Sequence, residues 1–205
     1  MQVRIVTFNI WDLPLWFVKD RERRIAGLLE YFDRLKADVI CLQEAFDPRH
    51  RRFLAREMKR RGYHVSGGVD RERRILFWKL FDMTGGLMVF SRFPITTSRF
   101  VPYRRWLNSA FGEFFARKGF LETLVQLPQG FLRVLNTHLH EETPWMVDHH
   151  IRLLQLENLL ESAQRDLMPT VLTGDLNEHA INTQHEFADL FRRFGFSHPL
   201  SVGDP

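Results

Sequence analysis

A short run of β-forming residues at 3–9 is followed by residues 21–35, in which Ile25, Leu28, Leu29 and Phe32 recur at helical spacing, and the pair then repeats. Residues 38–43 are almost wholly apolar, as a strand buried on both faces must be. Residues 48–61 set Phe53, Leu54 and Met58 on one helical face among basic side chains. From Gly62 the period changes. Residues 64–66, 86–91, 97–103, 119–127 and 131–138 are strand-like runs separated by Gly, Pro and polar breaks, the pattern of a meander. A helix over about 147–164, with Ile151, Leu154 and Leu159 in period, leads to a strand at 170–173, and 187–194 predicts a last helix. Helices that separate two sets of strands favour two sheets face to face under outer helices. The expectation is an α/β protein built as a four-layer α/β/β/α sandwich.

With 205 residues, 44% of them hydrophobic, the chain supports one substantial core and is too short for two ordinary enzyme domains. Residues 1–205 are therefore expected to form a single domain, and no repeat, low-complexity tract or linker divides them. No run approaches the roughly 20 apolar residues of a membrane-spanning helix, and Met1-Gln2-Val3-Arg4 leads into a strand rather than a signal-peptide core. A soluble chain is expected, cytoplasmic or exported after processing, with the compartment left open. Cys41, the one cysteine, excludes an internal disulfide, and its apolar neighbours make it a small buried hydrophobe. The formal charge of +4 and a pI near 9.6 favour a polyanionic partner, either nucleic acid or an anionic membrane surface. Much of the excess lies in Arg49, Arg51, Arg52, Arg56, Lys59, Arg60 and Arg61, and in Arg71 to Arg74, which equally suit a solvated helix face and loop. Oligomeric state is not encoded in any of this.

Four strands end in polar or ionisable residues: Thr7-Phe8-Asn9, Gln43-Glu44, Asn136-Thr137-His138-Leu139-His140 and Thr173-Gly174-Asp175-Leu176-Asn177. Taken singly, each has an ordinary structural reading, with Asn9 capping a turn, Glu44 opening a helix and Asp175 serving as an N-cap. Together they supply two carboxylates, two amides and an imidazole at strand ends, where side chains converge on one edge of a sheet. That set suits phosphodiester hydrolysis. A hard cation such as Mg²⁺ takes oxygen ligands and polarises a phosphoryl group, and Glu44 is the first choice to hold it. His138 suits a leaving-group acid or an electrostatic stabiliser, and Asp175 and Asn177 suit the orientation of water and a phosphate oxygen.

These four segments, in this order, resemble the endonuclease/exonuclease/phosphatase superfamily, and the resemblance covers nearly the entire chain. The context Thr7-Phe8-Asn9-Ile10-Trp11-Asp12-Leu13-Pro14, then Glu44-Ala45-Phe46-Asp47, then Gly85-Gly86-Leu87-Met88-Val89-Phe90-Ser91-Arg92-Phe93-Pro94-Ile95, is similar to neutral sphingomyelinases within it. Lys118-Gly119-Phe120, and Arg152 with Gln155, fit the same branch. The resemblance implies a deoxyribonuclease-like sandwich and a phosphodiesterase that uses Mg²⁺, with Mn²⁺ as a substitute. It implies that Glu44, helped by Asn9, binds the catalytic metal. His138 contacts the scissile phosphate or protonates the leaving group, and Asp175 and Asn177 position water and phosphate. His140 lies near the site and is read equally well as a hydrogen-bonding histidine of the loop.

The family pattern closes on a strand with an Asp-His pair whose histidine is the general base. This sequence reaches Ser201-Val202-Gly203-Asp204-Pro205 without one, and His198 in Ser197-His198-Pro199 is only a faint echo of it. The expectation is a domain lacking its terminal strands, either a portion of a longer protein or an incomplete relative. Met83-Thr84 stands where secreted bacterial sphingomyelinases carry acidic residues, so only the central cation is expected. Aromatic residues at 75–81 and 106–120 suit a lipid interface and thus a phospholipid headgroup substrate. The alternative is a nuclease of the same fold whose arginines track phosphates. A third reading, from a different class, is a noncatalytic binding module.

Overall fold

A computed structural model describes residues 1–13, 18–66, 85–104, 118–141, 148–178 and 184–197. Two parallel strand pairs organise it, and each needs a helical crossover. The first pair joins β1 (Ile5–Asp12) to β2 (Val39–Ala45) through α1 (Arg21–Leu35), with Ile5 opposite Val39 and Asn9 opposite Gln43. The chain continues through α2 (Pro48–Arg60), whose N-cap Asp47 accepts a bond from Arg49 N and whose Pro48 fits the first turn. It then adds β3 (His64–Val65) and β4 (Met88–Ser91), giving a first sheet in the order β1-β2-β4-β3.

The second sheet has the order β5-β6-β7-β8. Here β5 (Ile95–Pro102), β6 (Gly119–Leu127) and β7 (Gly130–His138) form an antiparallel meander. Helix α3 (Asp148–Ala163) then carries the chain to β8 (Thr170–Asp175), parallel to β7, and α4 (Gln184–Arg193) follows.

Strand alternation divides the apolar side chains into three layers. Ile40, Leu42, Met88 and Phe90 pack under α1 and α2 against Ile25, Leu29, Phe32, Leu54 and Met58. Val39, Cys41, Leu87 and Val89 meet Leu121, Val125, Leu132 and Val134 between the sheets. Phe120 and Leu135 pack under α3 and α4 against Leu156, Leu159, Leu160 and Phe187. The four-layer α/β/β/α expectation is met, and Cys41 is the small buried hydrophobe expected of it. Among the described residues no helix is long and apolar enough to cross a membrane.

Three local expectations are corrected. Strand β1 does not stop at Asn9 but runs to Asp12 across an irregularity in which Trp11 takes a left-handed φ of 48°. Strand β2 extends past Gln43 to Ala45. The meander expected from Gly62 onward is split, because β4 pairs with β2 and so belongs with β3 to the first sheet. Residues 71–81, 83–84, 106–117, 198 and 204, to which sequence expectations were attached, lie outside the described residues.

Candidate functional site

Both parallel pairs end at the same edge of the molecule, since β1 packs near β8 and β2 packs against β7 and β8. Side chains at the carboxyl ends of these four strands therefore meet, as they do at strand ends of other open α/β sheets. Asn9 comes from β1, Glu44 from β2, His138 from β7 and Asp175 from β8, while Asn177 follows two residues beyond β8.

Glu44 reaches this edge because the backbone breaks the pleat. Regular alternation puts Gln43 on the face of Val39 and Cys41, between the sheets, where its Nε2 donates to Asn136 Oδ1 at 2.7 Å and to Thr7 Oγ1 at 3.0 Å. Glu44 then adopts φ 56°, a left-handed conformation costly for a side chain without local support. The support comes from Gly86. Ala45 N donates to Gly86 O at 2.8 Å, and a Cβ on Gly86 would lie 3.1 Å from Glu44 Cα and 3.0 Å from the Phe46 ring. Arg51, buried on α2, donates to Ala45 O at 2.9 Å and Leu87 O at 3.2 Å, tying down both strand ends beside Glu44.

At the centre, Asn9 Nδ2 donates to Glu44 Oε1 at 2.7 Å and to Asp175 Oδ2 at 2.9 Å. Its Oδ1 accepts from Trp11 N at 2.9 Å. Asp175 Oδ1 accepts from Asn177 N at 3.0 Å. The carbonyl of Leu139 receives both Asn177 Nδ2 at 3.0 Å and the buried Lys118 Nζ at 2.8 Å, which fixes the chain just after His138. His140 is held through its backbone, with its N–H donating to Gln155 Oε1 at 2.9 Å.

His138 Nε2 lies 3.9 Å from Glu44 Oε1 and 3.6 Å from Glu141 Oε1, too far for a hydrogen bond to either. Both of its ring nitrogens and Glu44 Oε2 are buried without a hydrogen-bond partner among the described residues. Such groups are expensive to leave unmet, and their presence marks a place for a polar ligand or a cation. Glu44, His138 and Glu141 together bring ligand atoms within 4.8 Å of one another, so the donor set fits a divalent cation. As oriented, Asn9 offers Glu44 its amide nitrogen. A cation taking Asn9 Oδ1 would turn the amide over and break the bond to Trp11 N.

The ionisation pattern separates the carboxyls. Burial raises the pKa of Glu44 above the usual carboxylate range, and Glu141 and Asp175 add to this against the bond from Asn9 and the Lys118 charge. For Asp175, burial again pushes up, but the Asn9 amide, the Asn177 N–H and the His138 and Lys118 charges outweigh it, so its pKa is lowered. Burial, and then the Lys118 charge, push the His138 imidazole down to about 3 against the pull of Asp175. Burial thus favours the neutral form of His138. It presents a hydrogen-bonding or coordinating nitrogen rather than a ready acid.

All five expected residues, Asn9, Glu44, His138, Asp175 and Asn177, are brought together. Gln43, Asn136 and Thr137, read from the same motifs, are structural and sit behind the site. Glu141, an exposed loop residue, carries no periodic signal in the sequence, and Lys118 is legible there only through a resemblance. Beside Asn9 a groove of about 530 Å³ is lined by Phe8, Trp11, Arg24 and Tyr31, with Phe8, Trp11 and Tyr31 partly exposed.

Among curated proteins, the inositol phosphosphingolipids phospholipase C of Schizosaccharomyces pombe is 29% identical over 199 residues, covering 90% of this chain and 43% of that protein. The chain spans between 35% and 43% of the length of the curated relatives it matches. Among solved structures, sphingomyelinase C from Streptomyces griseocarneus superposes with a TM-score of 0.74 at 20% identity, covering 93% of this chain and 68% of that one. A mutant of beta toxin from Staphylococcus aureus with bound magnesium ions superposes at 0.73, also at 20% identity, covering 97% and 72%. These two likenesses establish the two-sheet fold. The match to the Endonuclease/Exonuclease/phosphatase family runs over residues 6–198, from the strand that carries Asn9 to beyond α4, and the chain therefore belongs to that family.

Proposed function

We propose that this chain carries a divalent-cation-dependent phosphodiesterase site that cleaves the headgroup of a sphingolipid, in the manner of a sphingomyelinase. The observation that carries the reading is the pair of buried polar groups without hydrogen-bond partners among the described residues, Glu44 Oε2 and the His138 ring nitrogens, with His138 Nε2 3.9 Å from Glu44 Oε1, beside Asp175 and Asn177. Glu44, with Asn9 beside it, holds the cation, Mg²⁺ or Mn²⁺. When bound, such an ion neutralises and polarises a phosphoryl oxygen. Asp175, ionised through its bonds to Asn9 and Asn177, orients the attacking water. Asn177 and the neutral His138 complete the polar lining against the phosphodiester.

The partly exposed Phe8, Trp11 and Tyr31 beside the site favour a substrate with an apolar body and a charged head, which directs the reading to a membrane lipid. A nuclease is the second reading, favoured by the exposed Arg52, Arg56, Lys59 and Arg60 on α2. The test is hydrolysis of sphingomyelin in mixed micelles, beside linear DNA, with and without Mg²⁺ or Mn²⁺, for the wild-type chain and Glu44→Ala. Cation-dependent lipid turnover lost in Glu44→Ala is the expected result. Cleavage of DNA without lipid turnover assigns the site to nucleic acid, and equal lipid turnover by Glu44→Ala overturns the reading.

A further inference from the structure

Helix α3 meets both loops that leave the site, through three polar residues given no part in the chemistry above. His149, Arg152 and Gln155 follow at three-residue spacing and are neighbours on one side of the helix. Leu156, Leu159 and Leu160, all fully buried, seat the same helix under the second sheet. Resting on the sphingolipid reading of Asp175 and Asn177, we propose that Glu178 and Arg152 are positioning residues: a buried ion pair through which α3 holds the turn that those two residues occupy.

The side chain of Glu178 is only 7% exposed, and its Oε2 lies 3.1 Å from His149 Nδ1 and 3.5 Å from Arg152 Nε. The far ring nitrogen of His149, Nε2, pairs with Glu186 and so ties α4 to the same place. Arg152 is 3% exposed, and among the described residues Glu178 is the one carboxylate it pairs with. Removing either partner strands a buried charge, so the pair resists displacement. Glu178 follows Asn177 directly. Asn177 takes a left-handed φ of 51°, and its N–H donates to Asp175 Oδ1. Of the two bonds that aim the Asp175 carboxylate, from Asn9 Nδ2 and from Asn177 N, the second belongs to the turn itself and depends on where Glu178 is held.

The other loop is gripped by the same helix one turn on, where Gln155 Oε1 accepts from His140 N at 2.9 Å. The two loops also bond each other, through Leu139 N to Asp175 O at 2.9 Å and Asn177 Nδ2 to Leu139 O at 3.0 Å. The grip on His140 runs through backbone and a neutral amide, so the charged part of the clasp is the Arg152–Glu178 pair.

The test uses the whole chain with Glu178→Gln, Arg152→Gln and Arg152→Lys. Hydrogen exchange followed by NMR reads the turn at the Asn177 amide, with the amides of β2 as the reference for global opening. Glu178→Gln and Arg152→Gln are expected to speed exchange at Asn177 by about tenfold or more, and Arg152→Lys, which keeps the charge, by less than about threefold. On sphingomyelin micelles, kcat of the two charge-removing variants should fall about tenfold with KM within about twofold. Adding Glu178→Gln to Asp175→Asn should cost no more than about twofold further, since both changes act through one group. If Asn177 exchanges as in wild type in both charge-removing variants, or if Glu178→Gln and Asp175→Asn add in full, the positioning role is wrong and the sphingolipid reading stands. Where a charge-removing variant also opens β2, Arg152→Lys decides, and a turn freed there as far as in Arg152→Gln overturns the pairing. If wild type turns over no sphingomyelin while the charge-removing variants still free the Asn177 amide, the pair holds the turn and the sphingolipid reading falls.

Discussion

Gln43 reaches across the interface between the two sheets and donates from Nε2 to Asn136 Oδ1 at 2.7 Å. Asn136 in turn donates to Leu42 O at 2.9 Å and Met88 O at 3.2 Å, so one buried amide ties β7 to both β2 and β4. Asn136→Ala removes a donor from two buried carbonyls and leaves a void. It is expected to cost about 2–4 kcal/mol of folding stability in a urea titration. Stability within about 0.5 kcal/mol of wild type would show that the amide bridge contributes little.

Asp47 gives a pH dependence with a defined sign. Burial raises its pKa, but bonds from the Arg49 side chain and backbone and from Arg21 bring it down to about 2, below the ordinary value of 3.8. A depressed carboxylate pKa contributes stability that is fully present above the unfolded value and is lost as pH falls through the folded one. The chain should therefore lose about 2 kcal/mol between roughly pH 4 and pH 2 on account of this group. Asp47→Asn keeps a capping side chain and should flatten this part of the profile, which thermal unfolding at stepped pH would measure.

Gly174 sits at φ 146°, and a Cβ there would stand 2.2 Å from Thr137 O. Gly174→Ala must push β8 away from β7, and with it Asp175 away from Asn9. Loss of at least about 2 kcal/mol of stability is expected, together with loss of phosphodiesterase turnover. A circular dichroism melt that overlays the wild-type curve would contradict it.

Asp175→Asn keeps an acceptor for Asn177 N but gives up the one that Asn9 Nδ2 uses, a local change at a half-buried strand end that should leave the fold intact. Turnover of sphingomyelin micelles is expected to fall by about 10²- to 10⁴-fold through loss of the group that orients water. A drop of less than about threefold would remove Asp175 from the reacting assembly.

The fold was legible where periodicity is long and unambiguous. The 3.6-residue pattern of Ile25, Leu28, Leu29 and Phe32 and the apolar run ending at Gln43 located α1 and β2 within a residue or two. The end of β1 was not legible, because a left-handed Trp11 continues the strand in a conformation that no residue-type preference announces. The split of the meander was hidden for another reason: β4 joins β2 through long-range pairing that local alternation cannot report. Within the site, a polar strand terminus drew attention to Asn9, Glu44, His138 and Asp175 together, but also to Gln43 and Asn136. Only the pleat, and the break in it at Glu44, tells which amide faces the neighbouring sheet and which carboxylate faces outward. Glu141 carries no such signal, since an exposed loop glutamate looks like any other until the fold sets it beside His138.

Cys41 lies between the sheets with no solvent exposure, and its burial pushes the thiol up to about 12. A thiol that is both hidden and protonated reacts with an alkylating reagent only when the two sheets part. With one cysteine in the chain, each labelled molecule records one such opening. The sequence therefore carries its own clock for the separation of its halves, readable by mass for every variant above without adding a probe.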